Sequence, residues 1–457
     1  MKRIFAMILA FACCMSLFGC GGKNSSNPTQ ATEPTASQLP SQPPHMEHTF
    51  GAWTVKTSPS CLNEGRAERR CTVCSVAESR TLPKSDHKFN AQNLCTKCYQ
   101  VDFDDETALV ELGVVCDNWY GSGSKANYAW DIKVWNGKVY RAAGDYDKNS
   151  GATTILAYDI ANRRWVKTGT ADDEAIHRFV EIGGTLYTPG IDAIGNWDTG
   201  NFYVLDEDGK WKMTRNLPNG LHCFDMIEFD GKIFAGLGTE TLGDTVAVSQ
   251  DQGKTFTFIP LYRDGTLLDT SGYEYSRTYA FVEYTGDLYA LVTFKKTGSL
   301  SYDRFVFRYE DGKMQYQSVA DSRLTGQTGS NYWQGKVEWK GVCYLTSTAL
   351  NAVTDFSKPE THKQISMPNG GVVSDILVHN DQLYVLSYKF QEDMTCNAVI
   401  YKSATGEEGS FTEVASFHYA AFPISFDFDG EHFYVGTGMC LADSSKAGMI
   451  LRVKPGA

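Results

Sequence analysis

The chain has 457 residues with 42 Lys+Arg against 54 Asp+Glu, a formal charge of -12. That balance excludes the basic stripe a nucleic-acid binder needs to displace counterions. Aromatic residues at 13% argue against wholesale disorder, and 42 glycines among them favour an all-β chain over a helical one.

Met1-Lys2-Arg3 precedes an apolar run from Ile4 to Phe18, the length of a signal-peptide core and too short to span a bilayer comfortably. It ends in Leu17-Phe18-Gly19-Cys20, which resembles a bacterial lipobox. The resemblance implies that residues 1–20 are a lipoprotein signal peptide, cut before Cys20, whose thiol and new amino group are lipidated. The mature chain would then be tethered to the extracellular face of a bacterial cell membrane. An ordinary secretory signal is the other reading, and it too exports the chain. Residues 21–44 hold Pro28, Pro34, Pro40, Pro43 and Pro44 among Ser, Thr, Asn and Gln. Such a composition cannot repay the entropy of ordering, so a disordered linker is expected. In polyproline geometry it would reach up to about 75 Å.

Residues 45–100 hold Cys61, Cys71, Cys74, Cys95 and Cys98 with His48 and His87, and few large apolar groups beyond Phe50 and Trp53. So small a core calls for a staple. Cys71-x-x-Cys74 and Cys95-x-x-Cys98 could each offer two thiolates to one tetrahedral ion, a zinc-ribbon-like structural site on Cys71, Cys74, Cys95 and Cys98. Four thiolates would leave no open position, which argues against a catalytic metal there. Disulfides are the alternative in an oxidising compartment, although five cysteines cannot pair completely. The pattern His48…Trp53…Cys61…Gly65…Cys71-x-x-Cys74…His87…Cys95-x-x-Cys98 resembles the Cys/His-rich repeats of surface proteins from Gram-positive gut bacteria. That resemblance leaves open a second ligand set of Cys61, Cys71, Cys74 and His87.

Residues 101–457 repeat one unit: an alternating strand, a tight turn, and a second strand opening on an aromatic. The corners are Gly137, Gly184, Gly231, Gly286, Gly341, Asp381 and Gly430. Asn-Gly and Asp-Gly corners between alternating runs are strong hairpin signals, and a period near 50 residues with this content predicts a seven-bladed β-propeller. Thr154 to Trp165 and Phe202 to Trp211 resemble kelch-type outer hairpins. Ser249 to Phe256 resembles the Asp-box turn of sialidase-like propellers, a structural staple without catalytic meaning of its own. The last unit ends at Met449–Val453, one strand short, and Leu109–Cys116 is the expected donor. The expected fold class is therefore all-β: a seven-bladed propeller preceded by a small Cys-rich module and a disordered linker.

Propeller ligands usually meet the funnel mouth, where the inner strands begin. Seven residues before each corner stand Trp130, His177, Phe224, Tyr279, Gln334, Ser374 and Pro423; the next position adds Asp131, Arg178, Asp225 and Asp375. Aromatic faces beside carboxylates and an Arg suit a sugar or a peptide, so Trp130, Asp131, His177, Arg178, Asp225, Tyr279 and Asp375 are the candidate ligand contacts. The alternative is that these are residues packed between blades, because a one-residue error in register swaps faces. Glu181, Glu228, Glu283, Glu338 and Asp427, three before their corners, read as solvated or ladder positions. Cys116, Cys223, Cys343, Cys396 and Cys440 read as small buried groups. No hydrolase elbow, zincin, phosphate-loop or dinucleotide motif is present, and no catalytic residue is assigned. Non-catalytic recognition of a glycan or an extracellular protein is the leading expectation. A carbohydrate-active hydrolase or lyase and an envelope scaffold are the alternatives.

Overall fold

The computed structural model describes residues 47–113, 127–145, 151–195, 198–239, 241–320, 333–440 and 444–456. The signal peptide, Cys20, the linker and Cys116 lie outside them. Among the described residues there is no α-helix, and no helix is long and apolar enough to cross a membrane. The chain is all-β.

Two compact units divide the described residues. The first takes residues 47–58 and 65–82, and the second takes 59–64 and everything from 83 onward. The first unit is a three-stranded antiparallel sheet of Thr54–Thr57, Gly65–Arg70 and Ala77–Leu82. Its apolar content is slight, and Trp53 is covered by the guanidinium groups of Arg69 and Arg80, 4.7 and 4.5 Å from its ring. Stacked cations take the place of an aliphatic core there.

The second unit is built from four-stranded antiparallel meanders. The first comprises Ile132–Trp135, Lys138–Arg141, Thr153–Asp159 and Arg164–Ala171, paired in chain order. The same order recurs in sheets whose inner strands are Val180–Ile182, His222–Phe229, Tyr273–Tyr284, Lys336–Trp339, Val372–His379 and Ala421–Phe428. The third and fourth sheets are continuous with each other through a bridge between Gly238 and Arg277. Each expected corner lies between the first and second strands of one meander. Six of the corners hold two successive residues at positive φ, among them Asn136 and Gly137 (47° and 71°) and the glycine-free pair Asn380 and Asp381 (48° and 57°). That is the geometry that matches the twist of flanking strands, and Asn and Asp tolerate it nearly as glycine does. The seventh sheet takes its fourth strand from far upstream: Leu109–Glu111 pairs antiparallel with Ile450–Val453, Val110 facing Arg452. Tyr419 Oη donates to Glu111 Oε1 at 2.9 Å and the Lys446 ammonium lies 2.6 Å from the same oxygen, fixing this donated strand.

The core is layered between the sheets. Tyr140, Leu186 and Trp211 share one cluster, and Phe234, Phe281 and Phe307 share another, all nearly inaccessible. Cys223, Cys343 and Cys396 are buried free thiols in these layers, as small apolar residues are.

Candidate functional site

The candidate residues lie on the inner strands or just before them, and four of these strands carry a bulge beside the candidate position. Pairing with the second strand slips between Cys223 and Asp225, between Thr278 and Ala280, between Val373 and Asp375, and between Pro423 and Ser425. A bulge at the same place in successive sheets re-aims the residues beside it.

The carboxylates at this position reach the next sheet, from the bulged third and sixth sheets and also from the first, whose pairing is regular. Asp131 accepts from its own neighbour Ile132 N at 2.9 Å and from Phe179 N of the second sheet at 2.7 Å. Asp225 does the same with Met226 N and with Phe281 N of the fourth sheet, at 3.0 and 2.7 Å. Asp375 repeats it with Ile376 N and Phe426 N of the seventh, at 2.8 and 3.0 Å.

Arg178 stands at the equivalent position of the second sheet. Its Nη1 lies 2.9 Å from Asp225 Oδ2, and Nη2 donates to Trp333 O at 3.1 Å. Lys336 of the fifth sheet reaches the same Asp225 oxygen, and Gln334 Nε2 donates to Trp130 O at 3.0 Å. The fifth sheet thus touches the first, second and third, none of them its neighbour in chain order. Burial opposes the charge on Asp225, but Arg178 and Lys336 outweigh it and hold the carboxyl below its usual range. Burial, reinforced by Arg178, pushes Lys336 down to about 8 against the pull of Asp225. Burial lifts Asp131 to about 6, and burial with Asp131 close by raises Asp375 well above an ordinary carboxyl.

This narrows the expected ligand surface. Asp225, Asp375 and Arg178 are 0, 6 and 8% exposed, and Asp131 shares their bonding pattern, so these four groups are engaged within the protein. Each of the three carboxylates holds two backbone amides, and Arg178 holds Asp225 and Trp333 O, so the side-chain bonds of all four run to neighbouring sheets. Lys336 was missed. Its signal was a charged residue in a column that elsewhere reads Ile132, Phe179, Met226, Phe281, Ile376 and Ser425.

Trp130, His177 and Tyr279 are only half-buried. The rings of Trp130 and His177 lie 4.4 Å apart, with Tyr128 at 5.2 Å from Trp130; those of Phe224 and Tyr279 lie 4.5 Å apart, with His222 at 5.3 Å from Phe224. The Arg277 guanidinium stacks 4.7 Å from the Tyr275 ring and 5.6 Å from Phe224, and its Nη2 lies 2.9 Å from His222 Nε2. Asp192 contacts His222 Nδ1. Burial depresses His222, Asp192 pulls it back, and Arg277 depresses it further, for a net shift downward. The imidazole is therefore neutral, its Nδ1–H donating a hydrogen bond to Asp192 and its Nε2 accepting one from Arg277. Counting seven residues back from the corner missed Tyr275 and Arg277 because the fourth sheet's inner strand, Tyr273–Tyr284, runs further than the others.

The thiols assemble differently from the expected set. Donor atoms of Cys61, His87, Cys95 and Cys98 lie within 4.8 Å of one another, and so do those of His48, Cys71 and Cys74. The first group belongs to the second compact unit and the other to the first unit. Both expected sets, Cys71/Cys74/Cys95/Cys98 and Cys61/Cys71/Cys74/His87, are corrected accordingly. The reason is local: each CxxC turn closes on the histidine of its own His-x-Phe stretch. All five cysteines are free thiols. Burial opposes ionisation of Cys95, but the amides of Lys97 and Cys98 with His87 outweigh it, bringing the thiol down to about 6. Thiolate and imidazole donors at this spacing can hold a metal ion.

No family model and no curated protein matches the chain. Among solved structures it is similar to an auxiliary nutrient binding protein from Bacteroides ovatus, at 13% identity over 85% of this chain and 83% of that one, with a TM-score of 0.37. The β-propeller domain of the Trilobed protease from Pyrococcus furiosus is similar at 11% identity over 70% and 97%, with a TM-score of 0.38. YCF48, solved with D1 peptide, is similar at 10% identity over 75% and 97%, with a TM-score of 0.39.

Proposed function

We propose that residues 101–457 form a seven-bladed β-propeller whose mouth recognises a glycan or an extracellular protein without altering it. Ring closure is supported by bonds that run from each sheet to the next and from the seventh back to the first: Asp427 Oδ2 accepts from Val134 N at 2.8 Å, and Ser425 Oγ donates to Ala129 O at 3.0 Å. The carrying observation is two close, tilted ring pairs, half-buried Trp130 with His177 and buried Phe224 with half-buried Tyr279, beside Arg277, whose guanidinium lies over the rings of Tyr275 and Phe224. Aromatic faces with one oriented guanidinium suit the apolar face and hydroxyls of a sugar, or a peptide carbonyl. Binding is favoured over hydrolysis or elimination because Asp131, Asp225 and Asp375 already hold backbone amides.

The chain is exported and lipid-anchored through Cys20, as the apolar run Ile4–Phe18 and its ending suggest. Its Cys/His segment is held by structural zinc, and the linker keeps the propeller away from the membrane, where an envelope or extracellular partner is met.

Purified chain starting at residue 21 tests this on a glycan array and in pull-downs of envelope proteins. Trp130→Ala and Tyr279→Ala are each expected to weaken binding about ten-fold, since an aromatic stack contributes on the order of 1 kcal/mol beyond its buried area. The bound sugar should be recovered unchanged. Undiminished binding in both variants would move the site elsewhere, and shortened or unsaturated sugar would make the protein an enzyme.

A further inference from the structure

The two CxxC turns are copies of one structural unit. His48-Thr-Phe50 with Cys71-Thr-Val-Cys74-Ser75 matches His87-Lys-Phe89 with Cys95-Thr-Lys-Cys98-Tyr99. Phe50 bridges Cys71 as Phe89 bridges Cys95. Thr72 N donates to Thr49 O at 2.9 Å, and Thr96 N to Lys88 O at 2.9 Å; each threonine hydroxyl donates to the same carbonyl, at 3.1 and 3.2 Å. Cys71 N bonds Val76 O and Cys95 N bonds Gln100 O, at 2.8 and 2.7 Å. Ser75 and Tyr99 close the turns at φ 62° and 60°. His48 and Phe50 rings stand 5.6 Å apart, His87 and Phe89 rings 5.5 Å. In both copies a histidine Nδ1 lies 3.3 Å from the second cysteine's Sγ.

We propose that the segment binds two zinc ions, one on each copy, rather than one ion shared by both turns. The second site is closed: His87, Cys95 and Cys98 are joined by Cys61, giving three sulfurs and one nitrogen. The first presents His48, Cys71 and Cys74 among the described residues, so its ion keeps a fourth position for another donor or for water. A tetrahedral zinc with ordinary Zn–S and Zn–N bonds sets neighbouring S and N donors about 3.6 Å apart. The 3.3 Å separation in both copies is close to that edge. Hard oxygen-seeking cations are excluded by a donor set of thiolates and imidazoles. The loop between histidine and CxxC hides the duplication in the sequence. It spans the hairpin of Thr54–Thr57 and Gly65–Arg70 in the first copy, and only a short turn around Asn90–Leu94 in the second.

This inference rests on the reading of the segment as zinc-held, and one set of measurements separates the two. The chain from residue 21 is purified with zinc, and metal and free thiols are counted. About two zinc ions are expected; Cys71→Ser and Cys95→Ser should each retain one, and the double variant none. One ion in the parent, lost entirely in either single variant, would mean a shared site and overturn the duplication while sparing the zinc reading. No metal, with Cys71, Cys74, Cys95 and Cys98 all closed to a thiol reagent in denaturant until reduced, would mean disulfides and overturn both. Cobalt titration of the unmutated chain guards against misfolded variants. Its thiolate charge-transfer band should saturate at about two equivalents, and saturation at one would overturn the proposal.

Discussion

The first compact unit and the sheets from residue 127 onward are held together by opposite means. In the first, Thr54–Thr57 exposes every side chain and Ala77–Leu82 all but the last, so those strands bury almost nothing. In the sheets, Val246–Ser249 and Ile450–Val453 are buried at every position, and Thr153–Asp159 at all but one. Equal hydrogen-bond ladders thus rest on unequal foundations. Apolar area supports one region, while the other has cation stacks over Trp53 and a cluster of donors that could hold a metal ion. An alternating strand pattern fixes where a sheet forms, and what it packs against fixes whether the sheet survives alone.

Chelation should break the comparison open most widely. Binding of structural zinc to small domains is worth on the order of 10 kcal/mol, so its removal exceeds anything the exposed strands can offset. Treatment with a strong chelator is expected to expose residues 54–82 to proteolysis within minutes, while the sheets keep their far-ultraviolet spectrum and melting. Simultaneous collapse of both regions would show that the sheets depend on the metal too. The second knuckle gives this test a finer edge, because it is tied to the first sheet. Val101 N donates to Arg163 O at 2.7 Å and Trp165 N to Tyr99 O at 3.1 Å. The first sheet's outer strand should therefore gain hydrogen-exchange rate on chelation, and the inner strands should not.

Asp225→Ala comes next. It leaves Arg178 and Lys336 buried without their shared anion and strips the Phe281 amide of its acceptor. Uncompensated buried charge costs about 3–5 kcal/mol, to be read as a lowered urea midpoint. Trp130→Ala, at the half-buried mouth, should fall well short of that. Equal losses would mean that mouth and staple are not distinct.

Legibility followed the same division. The corners were readable because a tight hairpin demands positive φ at successive residues, and even Asp381 could be placed from the alternation around it. Leu109 was readable as a donated strand because the last sheet lacked one. The bulges at Phe224, Tyr279 and Ser374 left no mark, since no special residue type is needed for them, and two of them stand beside Asp225 and Asp375. The metal donors were visible as residue types, but their partners depend on loop lengths that hide the duplicated turn.

The smallest effect is set by pH, and it has opposite signs in the two regions. Asp131 stands at about 6 through burial, above the 3.8 of a free aspartate. Its folded form therefore keeps a proton that the unfolded chain has already lost between about pH 4 and 6. Protonation then favours folding, so this group's contribution grows as pH falls through that window and vanishes above it. Two pH units correspond to at most about 3 kcal/mol. Asp131→Asn cannot titrate, so the stability of the parent relative to the variant should rise by up to that amount between pH 7 and 4 in urea titrations. If zinc holds the strands of the first unit, as proposed, they must behave the other way, because protons compete with the ion for thiolate and imidazole. Acid should release the first unit while the seam around Asp131 tightens. A parent-minus-variant difference that stays flat would mean the carboxyl is not carrying this charge in the buried seam, and the contrast between a donor-held and a packing-held region would then rest on chelation alone.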